Sequence, residues 1–439
     1  MSALAEKLSD LTDTLGPLSF RKTYGQLTKV RGPLLCADFA GAKQGSICTI
    51  ERGDGSSLLA EVIGIDGDGI LLSPYGDSKG LNAGARLSLT NSALRIATGK
   101  AVLGRVLDGF GNALDDLGAL PEDVTRRPIK ADPPSAMDRP LIEKPLPTGI
   151  RAIDGLMTLG RGQRVGIFGP PGTGKSTLLA AIARHTTADV IVIGLIGERG
   201  REVREFVDRD LPAEARGRVV VVAATSDRPA VERALCAHSA TAVAEGFRDQ
   251  GASVLLLIDS LTRTARALRE IGLAAGEPPT RRGFPASVYP ALPAIIERAG
   301  RSNAGDITAL YTVLQEGEKD IDPIAEEVKS LTDGHFLLSR KLAEAGHYPA
   351  LDVVESLSRS MTAIVPIEHT KAAARIRGLL AKYRDIELLL QLGEYHSGND
   401  PETDGAISAK PQIDAFLQQD VSERSDFTAV LPALQAVAR

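Results

Sequence analysis

The chain of 439 residues has few cysteines and no excess of positive charge. Its three cysteines, Cys36, Cys48 and Cys236, are an odd number without C-x-x-C spacing, which argues against a disulfide framework and against a zinc site. We expect buried thiols instead. Lysine and arginine number 51 against 56 acidic residues, so the formal net charge is −5 and the sequence has no overall basic field that would attract nucleic acid.

Long apolar runs are also missing. No uninterrupted stretch approaches the roughly 18–20 apolar residues that span a bilayer, and the N-terminus has no basic segment followed by an apolar run and a cleavage site. We therefore expect the protein to stay in the cytoplasm without a membrane span. With 43% hydrophobic and 24% charged residues, the composition is that of globular domains, and the length suits about three of them.

What the sequence does contain is a phosphate-binding motif, G-x-x-x-x-G-K-[S/T], at residues 169–177. An apolar run precedes it and a helix-favouring run follows it, a setting that an ordinary glycine-rich turn does not explain. Lys175 would reach the β- and γ-phosphates of ATP, and the Ser176 hydroxyl would bind Mg²⁺. The predicted nucleotide contacts are Gly169, Gly172, Thr173, Gly174, Lys175, Ser176 and Thr177.

Two carboxylates follow apolar runs at the places where strands are expected to end. Asp259 ends the run 254–259 and would face the Mg²⁺ held by Ser176. Glu198 follows the run 190–196 and would orient and polarise the attacking water. Two alternatives stay open: Asp259 as a cap for the next element, and Glu198 as a member of a solvated ion cluster with Arg199 or Arg201.

The pattern of residues divides the chain into four parts. Residues 1–18 carry leucines at helical spacing, which predicts an amphipathic helix that packs on its own domain or docks a partner. Residues 19–95 show the short alternating runs of a small β-barrel. They are poor in the exposed aromatics and basic runs of an oligonucleotide-binding barrel, so we expect a structural or oligomerising role.

Residues 96–366 include a proline-rich connector at 115–147 and then alternate strands and helices, which predicts a mostly parallel sheet with helices on both faces. Residues 367–439 are expected to form a helical domain. The predicted strands of the sheet are 190–196, 219–224, 254–258, 307–314 and 335–339, and the predicted C-terminal helix is 371–392.

Four stretches closely resemble the type III secretion ATPases, a family related to the catalytic subunit of rotary ATP synthases. They are GERGREV at 197–203, IDSLTR at 258–263, GEPP at 276–279 and LSRKLAE at 338–344. The resemblance runs from about residue 99 to the C-terminus. It implies an α/β protein with a RecA-type P-loop core, an N-terminal small β-barrel and a C-terminal helical domain, assembled as a homohexameric ring.

The resemblance also assigns roles to residues. Lys175, Ser176, Asp259 and Glu198 match the family's phosphate, magnesium and catalytic-carboxylate positions, and we add Arg199 to the catalytic set. Arg359 matches an arginine that family members insert into the neighbouring subunit's site, where it can neutralise charge on the phosphoryl group. Tyr348 matches the aromatic residue that packs on the adenine ring. Without the resemblance, Arg359 would read as a surface arginine and Tyr348 as a core tyrosine.

The function implied is hydrolysis of ATP to ADP and phosphate, coupled to protein export at the cytoplasmic face of the inner membrane. The implied partners are export chaperone–cargo complexes, a stator or regulator bound by the N-terminal helix, and a coiled-coil central stalk. Arg281 and Arg282, in the expected loop 276–290, would contact an acidic surface of that stalk. Peripheral membrane association is compatible with this location.

The stretches at 224–229 and 265–275 favour an injectisome over a flagellar apparatus. One alternative is a catalytic subunit of a rotary ATP synthase, although the strongly acidic C-terminal segment of such a subunit is missing. A non-catalytic ring subunit would lack a carboxylate at position 198. The other alternative is a hexameric nucleic-acid motor that resembles Rho, which the barrel composition and the net charge disfavour.

Overall fold

The computed structural model describes residues 23–66, 69–90, 93–211, 213–315 and 322–438. The predicted helix at 1–18 lies outside these residues. The chain forms two compact units, which are divided in the sequence between Ala93 and Leu94.

In the described part of the first unit, six antiparallel strands close into a barrel in the order β1-β2-β5-β4-β3-β6. Period-two alternation turns one face of each strand inward, so that residues such as Leu35, Val62 and Leu87 form the core. Cys48 lies in that core, where burial raises the pKa of its thiol to about 11, whereas Cys36 is half-buried. The strands are β1 Tyr24–Arg31, β2 Leu34–Asp38, β3 Ile47–Glu51, β4 Ser57–Asp66, β5 Gly69–Pro74 and β6 Arg86–Thr90.

The second unit is built on a sheet with the order β17-β16-β10-β15-β13-β11-β12-β8. Its strands are parallel except that β17 runs antiparallel to β16 and the short β14 runs antiparallel to β15; β7 and β9 form a separate ribbon. The strands are β7 Arg95–Ala97, β8 Val106–Asp108, β9 Arg126–Pro128, β10 Arg164–Gly169, β11 Val190–Ile196, β12 Val219–Ala224, β13 Ser253–Asp259, β14 Gly300–Arg301, β15 Asp306–Leu314, β16 Gly334–Leu338 and β17 Leu351–Ser358. The five strands predicted from the sequence are confirmed to within one residue.

Helices cover both faces of this sheet. Ile193 of β11 belongs to the same apolar cluster as Leu179 of α2, whereas Gly194 faces the other way, where an added Cβ would lie 3.2 Å from that of Ala240 in α5. The helices described are α1 Arg151–Leu156, α2 Lys175–His185, α3 Gly200–Glu205, α4 Ala213–Arg216, α5 Ala230–Arg248, α6 Leu261–Ala275, α7 Val288–Ile296, α8 Pro323–Leu331, α9 Arg340–Glu344, α10 Met361–Ile364, α11 Ile367–Leu392, α12 Pro401–Leu417 and α13 Phe427–Val437.

Two predicted boundaries need correction. The loop expected at 276–290 is shorter, because Pro290 lies in the first turn of α7, where a proline is tolerated, and the loop follows helix α6 rather than a strand. The helix expected at 371–392 begins earlier, at Ile367, directly after Pro366. The C-terminal helices share a hydrophobic core with α1, to which Phe416 and Leu434 contribute.

The proline-rich connector is fixed to the core by a buried ion pair. The fully buried guanidinium of Arg298 contacts Glu245 through two hydrogen bonds of 2.9 and 2.7 Å. It also donates to the backbone carbonyl of Ile129 in the connector, at 2.8 Å. The connector therefore follows a defined path over the surface although little of it is regular.

Candidate active site

The phosphate-binding motif forms the loop between β10 and α2. Gly172 and Gly174 have φ values of +81° and +83°, a region that residues with a Cβ rarely adopt. An added Cβ on Gly169 would lie 2.8 Å from the Cβ of Leu338, so the loop passes close to β16. Because Gly174 is the N-cap of α2 and has no side chain to cap it, the first N–H groups of the helix are open to an anion.

Lys175 is the first residue of α2 and is only 8% exposed. Its ammonium group donates to the backbone carbonyls of Gly169, at 2.9 Å, and Pro170, at 2.6 Å. Burial lowers the pKa of Lys175 to about 8, although the carboxylates of Asp259 and Glu198 act in the opposite direction. A polyanionic ligand would therefore stabilise the charged form of this buried amine.

Asp259 ends β13, which lies two strands from β10 in the sheet. Its carboxylate is almost fully buried and accepts a hydrogen bond from the Thr312 hydroxyl of β15, at 2.5 Å. Burial raises the pKa of Asp259, while the Thr312 hydrogen bond and the charge of Lys175 oppose the shift. Thr312 thus fixes one carboxylate oxygen.

The residues expected to bind Mg²⁺ offer an exposed hydroxyl, that of Ser176, and the carboxylate of Asp259. Among the residues that the structure describes, no group of three or more His, Cys, Asp or Glu side chains is placed to hold a metal by itself. A small oxygen set of this kind fits magnesium, which keeps several waters and is commonly bound by one or two protein oxygens together with substrate phosphates.

Glu198 lies two residues beyond β11, and its carboxylate is 3.0 Å from the guanidinium of Arg263 in α6. Arg263 also donates to the backbone carbonyl of Gly197. The ion partner of Glu198 is therefore Arg263, whereas Arg199 pairs with Glu202 at 3.3 Å. The solvated cluster considered from the sequence, with Arg199 or Arg201 on Glu198, is not what the structure shows.

Glu198 and Glu202 form a carboxyl pair that shares a proton. Burial, the hydrogen bond to Glu202 and the nearby charge of Asp259 together raise the pKa of Glu198 to about 8, against the opposing effect of Arg263. The same hydrogen bond lowers the pKa of Glu202, so Glu198 is the protonated member. Below about pH 8, the Glu198 carboxyl must give up its proton before it can accept one from water.

Tyr348 borders a cavity of about 690 Å³ beside the phosphate loop. Gly174 and Thr177 line one side of this cavity, and residues 418–421, which follow α12, line another. The Gln419 N–H donates to the carbonyl of Tyr348, at 2.9 Å. The Tyr348 side chain is 44% exposed, so it is not the core tyrosine that the local sequence would suggest.

The structure does not bring Arg359 to this site. Because β17 is antiparallel to β16, Ser358 pairs with Gly334 at the start of β16, and Arg359 lies at the amino edge of the sheet. The phosphate loop follows the carboxyl end of β10. The 6 residues of β10, at about 3.3 Å each, separate the two edges by roughly 16–20 Å.

Sequence reasoning missed three residues that hold the acidic groups: Arg263, Glu202 and Thr312. Arg263 was within reach, because it follows Asp259 by four residues in a quoted motif. The contact between Thr312 and Asp259 joins residues 53 apart and has no local signature. The contribution of residues 418–421 to the cavity has none either.

Within the described residues, no helix is both long and apolar enough to cross a bilayer.

The parallel sheet, the glycine loop at the end of β10 and the acidic groups at the same edge define a P-loop nucleotide-binding protein with a RecA-type core. Comparisons with known proteins identify the family within this class. Models of the ATP synthase alpha/beta family match residues 149–358, its nucleotide-binding domain, and residues 27–91, its β-barrel domain. The model of the type III secretion EscN ATPase C-terminal domain matches residues 365–436.

The chain is 51% identical over 424 residues to the type 3 secretion system ATPase of Xanthomonas euvesicatoria, covering 96% of each chain. It is 45% identical to the flagellum-specific ATP synthase of Salmonella typhimurium, over 95% of this chain and 94% of that protein. The solved structure of the assembled ATPase EscN of enteropathogenic E. coli matches with a TM-score of 0.89 and 45% identity, covering 94% of this chain and 100% of the other. The chain belongs to the type III secretion ATPases. The resemblance and the fold class predicted from the sequence are confirmed.

Proposed function

We propose that this chain hydrolyses ATP, with Mg²⁺, at the carboxyl edge of the core sheet, and that hydrolysis energises protein export by a type III secretion system. The observation that carries the proposal is the convergence of Lys175, Asp259 and Glu198 at one edge, next to an open helix N-terminus. Family membership supports the same reaction.

The roles follow from the geometry. Lys175 would exchange its loop carbonyls for phosphate oxygens, and the glycine loop would bind phosphate through its N–H groups. Ser176 and Asp259 would hold Mg²⁺, which when bound neutralises charge on the phosphates. Glu198, fixed by Arg263, would orient the attacking water once it is deprotonated. Tyr348 would pack on the base in the adjoining cavity.

Arg199 contacts the catalytic carboxylate only indirectly, through Glu202. Its guanidinium is 82% exposed and pairs with Glu202, the carboxylate that shares a proton with Glu198. We propose that it acts on the site through this pair.

Arg359 would complete the site of a neighbouring copy in a homohexameric ring. Its place at the amino edge, away from the phosphate loop of its own chain, supports an action in trans. A guanidinium supplied in trans can stabilise the charge of the transferring phosphoryl group and is worth about 10³–10⁵ in rate in related reactions. The structure of EscN is that of an assembled ATPase, which supports assembly here.

Mixing two inactive variants tests this shared site. Neither Arg359→Ala nor Glu198→Gln should hydrolyse ATP alone, but a mixture can form interfaces that pair an intact Glu198 with an intact Arg359. Recovered activity is the expected result. If labelled subunits exchange and activity does not return, the shared site is wrong. A mixture of Glu198→Gln with Lys175→Ala is the matched control. Both changes fall in the half of the site that holds the phosphate loop, so every site in this mixture keeps one defect and activity should not return.

Several finer assignments belong to the same proposal. We place the protein at the cytoplasmic face of the inner membrane, with chaperone–cargo complexes as clients and with residues 1–18 as the contact for a stator or regulator. EscN has been solved with its central stalk EscO, which supports a coiled-coil stalk in the pore here and a role for Arg281 and Arg282 in contacting it. Both arginines are exposed.

Protein export is better supported than rotary ATP synthesis, because the EscN C-terminal domain model matches residues 365–436. We also favour the injectisome branch. Identity to the SPI-2 type 3 secretion system ATPase of Salmonella typhimurium is 50%, against 45% for the flagellum-specific protein of the same organism. Restoring secretion in a strain that lacks one or the other ATPase would separate the two branches.

A further inference from the structure

Two strands of the core sheet lead to the residues assigned to magnesium, and a third strand lies between them. β10 leads into the phosphate loop and Ser176, and β13 ends at Asp259. β15 is hydrogen-bonded in parallel register to both of these strands. The end of β15 therefore lies between the two halves of the expected magnesium site, although none of its residues was assigned to that site.

Thr312, near the end of β15, is fully buried and contacts the carboxylate of Asp259. Its hydroxyl has a single proton, and the nearer acceptor is Oδ1 of Asp259, at 2.5 Å; the carbonyl of Ile258 is 3.3 Å away. Two residues further along β15, the N–H of Leu314 donates to the Thr262 hydroxyl, at 2.8 Å. The chain is thus bound to β15 on both sides of Asp259, so the orientation of this carboxylate depends on the neighbouring strand.

The hydrogen bond from Thr312 makes the two oxygens of Asp259 unequal. Oδ1 accepts the hydroxyl proton, which leaves Oδ2 as the oxygen for a cation. Lys175 directs its ammonium group to the carbonyls of Gly169 and Pro170. A carboxylate held in this way offers a cation one oxygen rather than two.

The number of oxygens offered distinguishes magnesium from calcium. Mg²⁺ requires a near-octahedral set of oxygens at about 2.0–2.1 Å and keeps several waters, so one or two protein oxygens with substrate phosphates are enough. Ca²⁺ takes roughly six to eight oxygens at about 2.3–2.6 Å and readily binds both oxygens of one carboxylate. One hydroxyl, from Ser176, and one carboxylate oxygen, from Asp259, therefore suit the smaller cation.

We propose that Thr312 is a positioning residue that makes the site selective for Mg²⁺ over Ca²⁺. It holds Oδ1 of Asp259 and so resists the rotation by which both carboxylate oxygens would reach a larger cation. The inference rests on the proposed function, in which Ser176 and Asp259 hold Mg²⁺. Residues that orient a metal ligand through a hydrogen bond typically contribute about 10–100-fold to metal affinity.

A second threonine of β15 separates this role from that of an ordinary buried hydroxyl. Thr308 lies four residues before Thr312, on the same face of the strand, and is equally buried. Its hydroxyl accepts from the N–H of Gly162, at 2.9 Å, near the amino end of the strand. A change at Thr308 therefore removes a buried hydroxyl from the same strand and leaves the contact with Asp259 in place.

The test replaces the Thr312 hydroxyl by a methyl group. Thr312→Val is compared with wild type, with Thr312→Ser, which keeps the hydroxyl, and with the matched control Thr308→Val. Binding of Mg²⁺ and of Ca²⁺ is measured by isothermal titration into the full chain loaded with ADP, with the chain in excess over ADP. We expect Thr312→Val to lose roughly tenfold in Mg²⁺ affinity and less than about threefold in Ca²⁺ affinity. Thr312→Ser and Thr308→Val should stay within about threefold of wild type for both cations.

The preference for Mg²⁺ over Ca²⁺ decides the outcome. An unchanged preference in Thr312→Val would overturn the proposal, and so would an equal loss of preference in Thr308→Val or Thr312→Ser. ADP affinity in EDTA should stay within about twofold of wild type in every variant, because no metal contributes to it. If Thr312→Val also loses metal-free ADP binding, the same measurements on Thr312→Ala decide, since alanine removes the hydroxyl and adds no new contact.

Asp259→Asn separates the failure of this inference from that of the proposed function. This variant should lose at least as much Mg²⁺ affinity as Thr312→Val, because it removes the charge of the ligand itself. If Asp259→Asn keeps the wild-type affinity, the assignment of Asp259 to magnesium is wrong, and the role of Thr312 is wrong with it. If Asp259→Asn loses Mg²⁺ affinity while Thr312→Val keeps both its affinity and its preference, only the role of Thr312 is wrong.

Discussion

The two edges of the core sheet treat charge in opposite ways. At the amino edge, Arg164 forms ion pairs with both Asp333 and Glu297, so each of these carboxylates has a cationic partner. At the carboxyl edge, Glu198 and Glu202 are held together, with Asp259 close enough to raise the pKa of Glu198. Like charges at short range cost free energy unless a ligand or a proton relieves them.

This difference indicates that the carboxyl edge is the one that binds a ligand. At the amino edge, Arg164 has its carboxylate partners within its own chain, whereas Arg359 is exposed. The carboxyl edge combines a buried ammonium, whose pKa is lowered, with carboxyls whose pKa values are raised. Perturbations of this kind cluster at functional sites. Under the proposed action of Arg359 in trans, one chain presents an incomplete site at one edge and the completing cation at the other.

The largest expected effect separates binding from chemistry at the carboxyl edge. Lys175→Ala and Glu198→Gln should both abolish hydrolysis, to less than about 10⁻³ of the wild-type rate. Lys175→Ala should also weaken ATP affinity, because it removes a charge-assisted contact to phosphate, whereas the isosteric amide at 198 should leave affinity nearly intact. Isothermal titration with ATP and a steady-state phosphate assay measure the two quantities. A Glu198→Gln protein with near wild-type turnover would remove the role of this residue in positioning water.

The next effect concerns the amino edge and appears only on assembly. Specific activity should fall steeply on dilution below the assembly concentration, and Arg359→Ala should lower the assembled rate by about 10³-fold or more. Arg359→Lys keeps the charge but loses the planar fork, so we expect only a partial rescue. Sedimentation of the same samples shows at which concentrations they are assembled. As a control, the ATP affinity of the unassembled chains should be equal in wild type, Arg359→Ala and Arg359→Lys. Activity that is independent of dilution in a demonstrated monomer would show that the two edges do not cooperate.

A smaller effect should appear in the pH dependence. The pKa of Glu198, raised to about 8 by burial, makes kcat/KM increase with pH up to about 8, because only the ionised carboxylate can orient and deprotonate water. Glu202→Gln removes a charge that raises this pKa, so the acid limb should move to lower pH by roughly one unit or less. Glu205→Gln, whose native carboxylate pairs with Arg201, is the control and should leave the limb in place. A shift to higher pH would contradict the shared proton.

The smallest effect is expected in the loop between α6 and α7. Arg281→Glu/Arg282→Glu should weaken binding to a coiled-coil stalk protein several-fold, since exposed ion pairs contribute about 0.2–1 kcal/mol each. The matched control Lys29→Glu/Lys79→Glu makes the same change of charge at exposed positions of the barrel. Unchanged stalk affinity in the first variant would remove the assignment, whereas equal losses in both would indicate a non-specific charge effect.

Much of the fold followed from local patterns in the sequence. Buried parallel strands such as β11 are continuous apolar runs, and the acidic residue that ends or follows each run therefore had to lie at the carboxyl edge. That is why Lys175, Asp259 and Glu198 could be placed together before the structure was known. The predicted loop 276–290 was too long because Pro285 and Pro290 concealed the start of α7, a helix that tolerates Pro290 in its first turn.

What could not be predicted depends on strands that are adjacent only in three dimensions. Thr312 reaches Asp259 because β15 lies beside β13, and Arg263 reaches Glu198 because the first turn of α6 lies beside the end of β11. The edge on which Arg359 lies depends on the antiparallel direction of β17, which a propensity pattern does not reveal. Contacts of this kind carry no periodicity in the sequence.

The hydrogen bonds of Gln419 link the end of the chain to the nucleotide site. Its backbone donates to Tyr348, and its side chain donates to the carbonyl of Gly149 and accepts from the N–H of Arg151. A nucleotide in the cavity would therefore bias the position of the loop between α12 and α13. A protein that binds the C-terminal helices and prefers one position of this loop would change nucleotide affinity by some factor. By thermodynamic reciprocity, the nucleotide changes the affinity for that protein by the same factor. A partner bound to the last helices would thus be coupled to the nucleotide site.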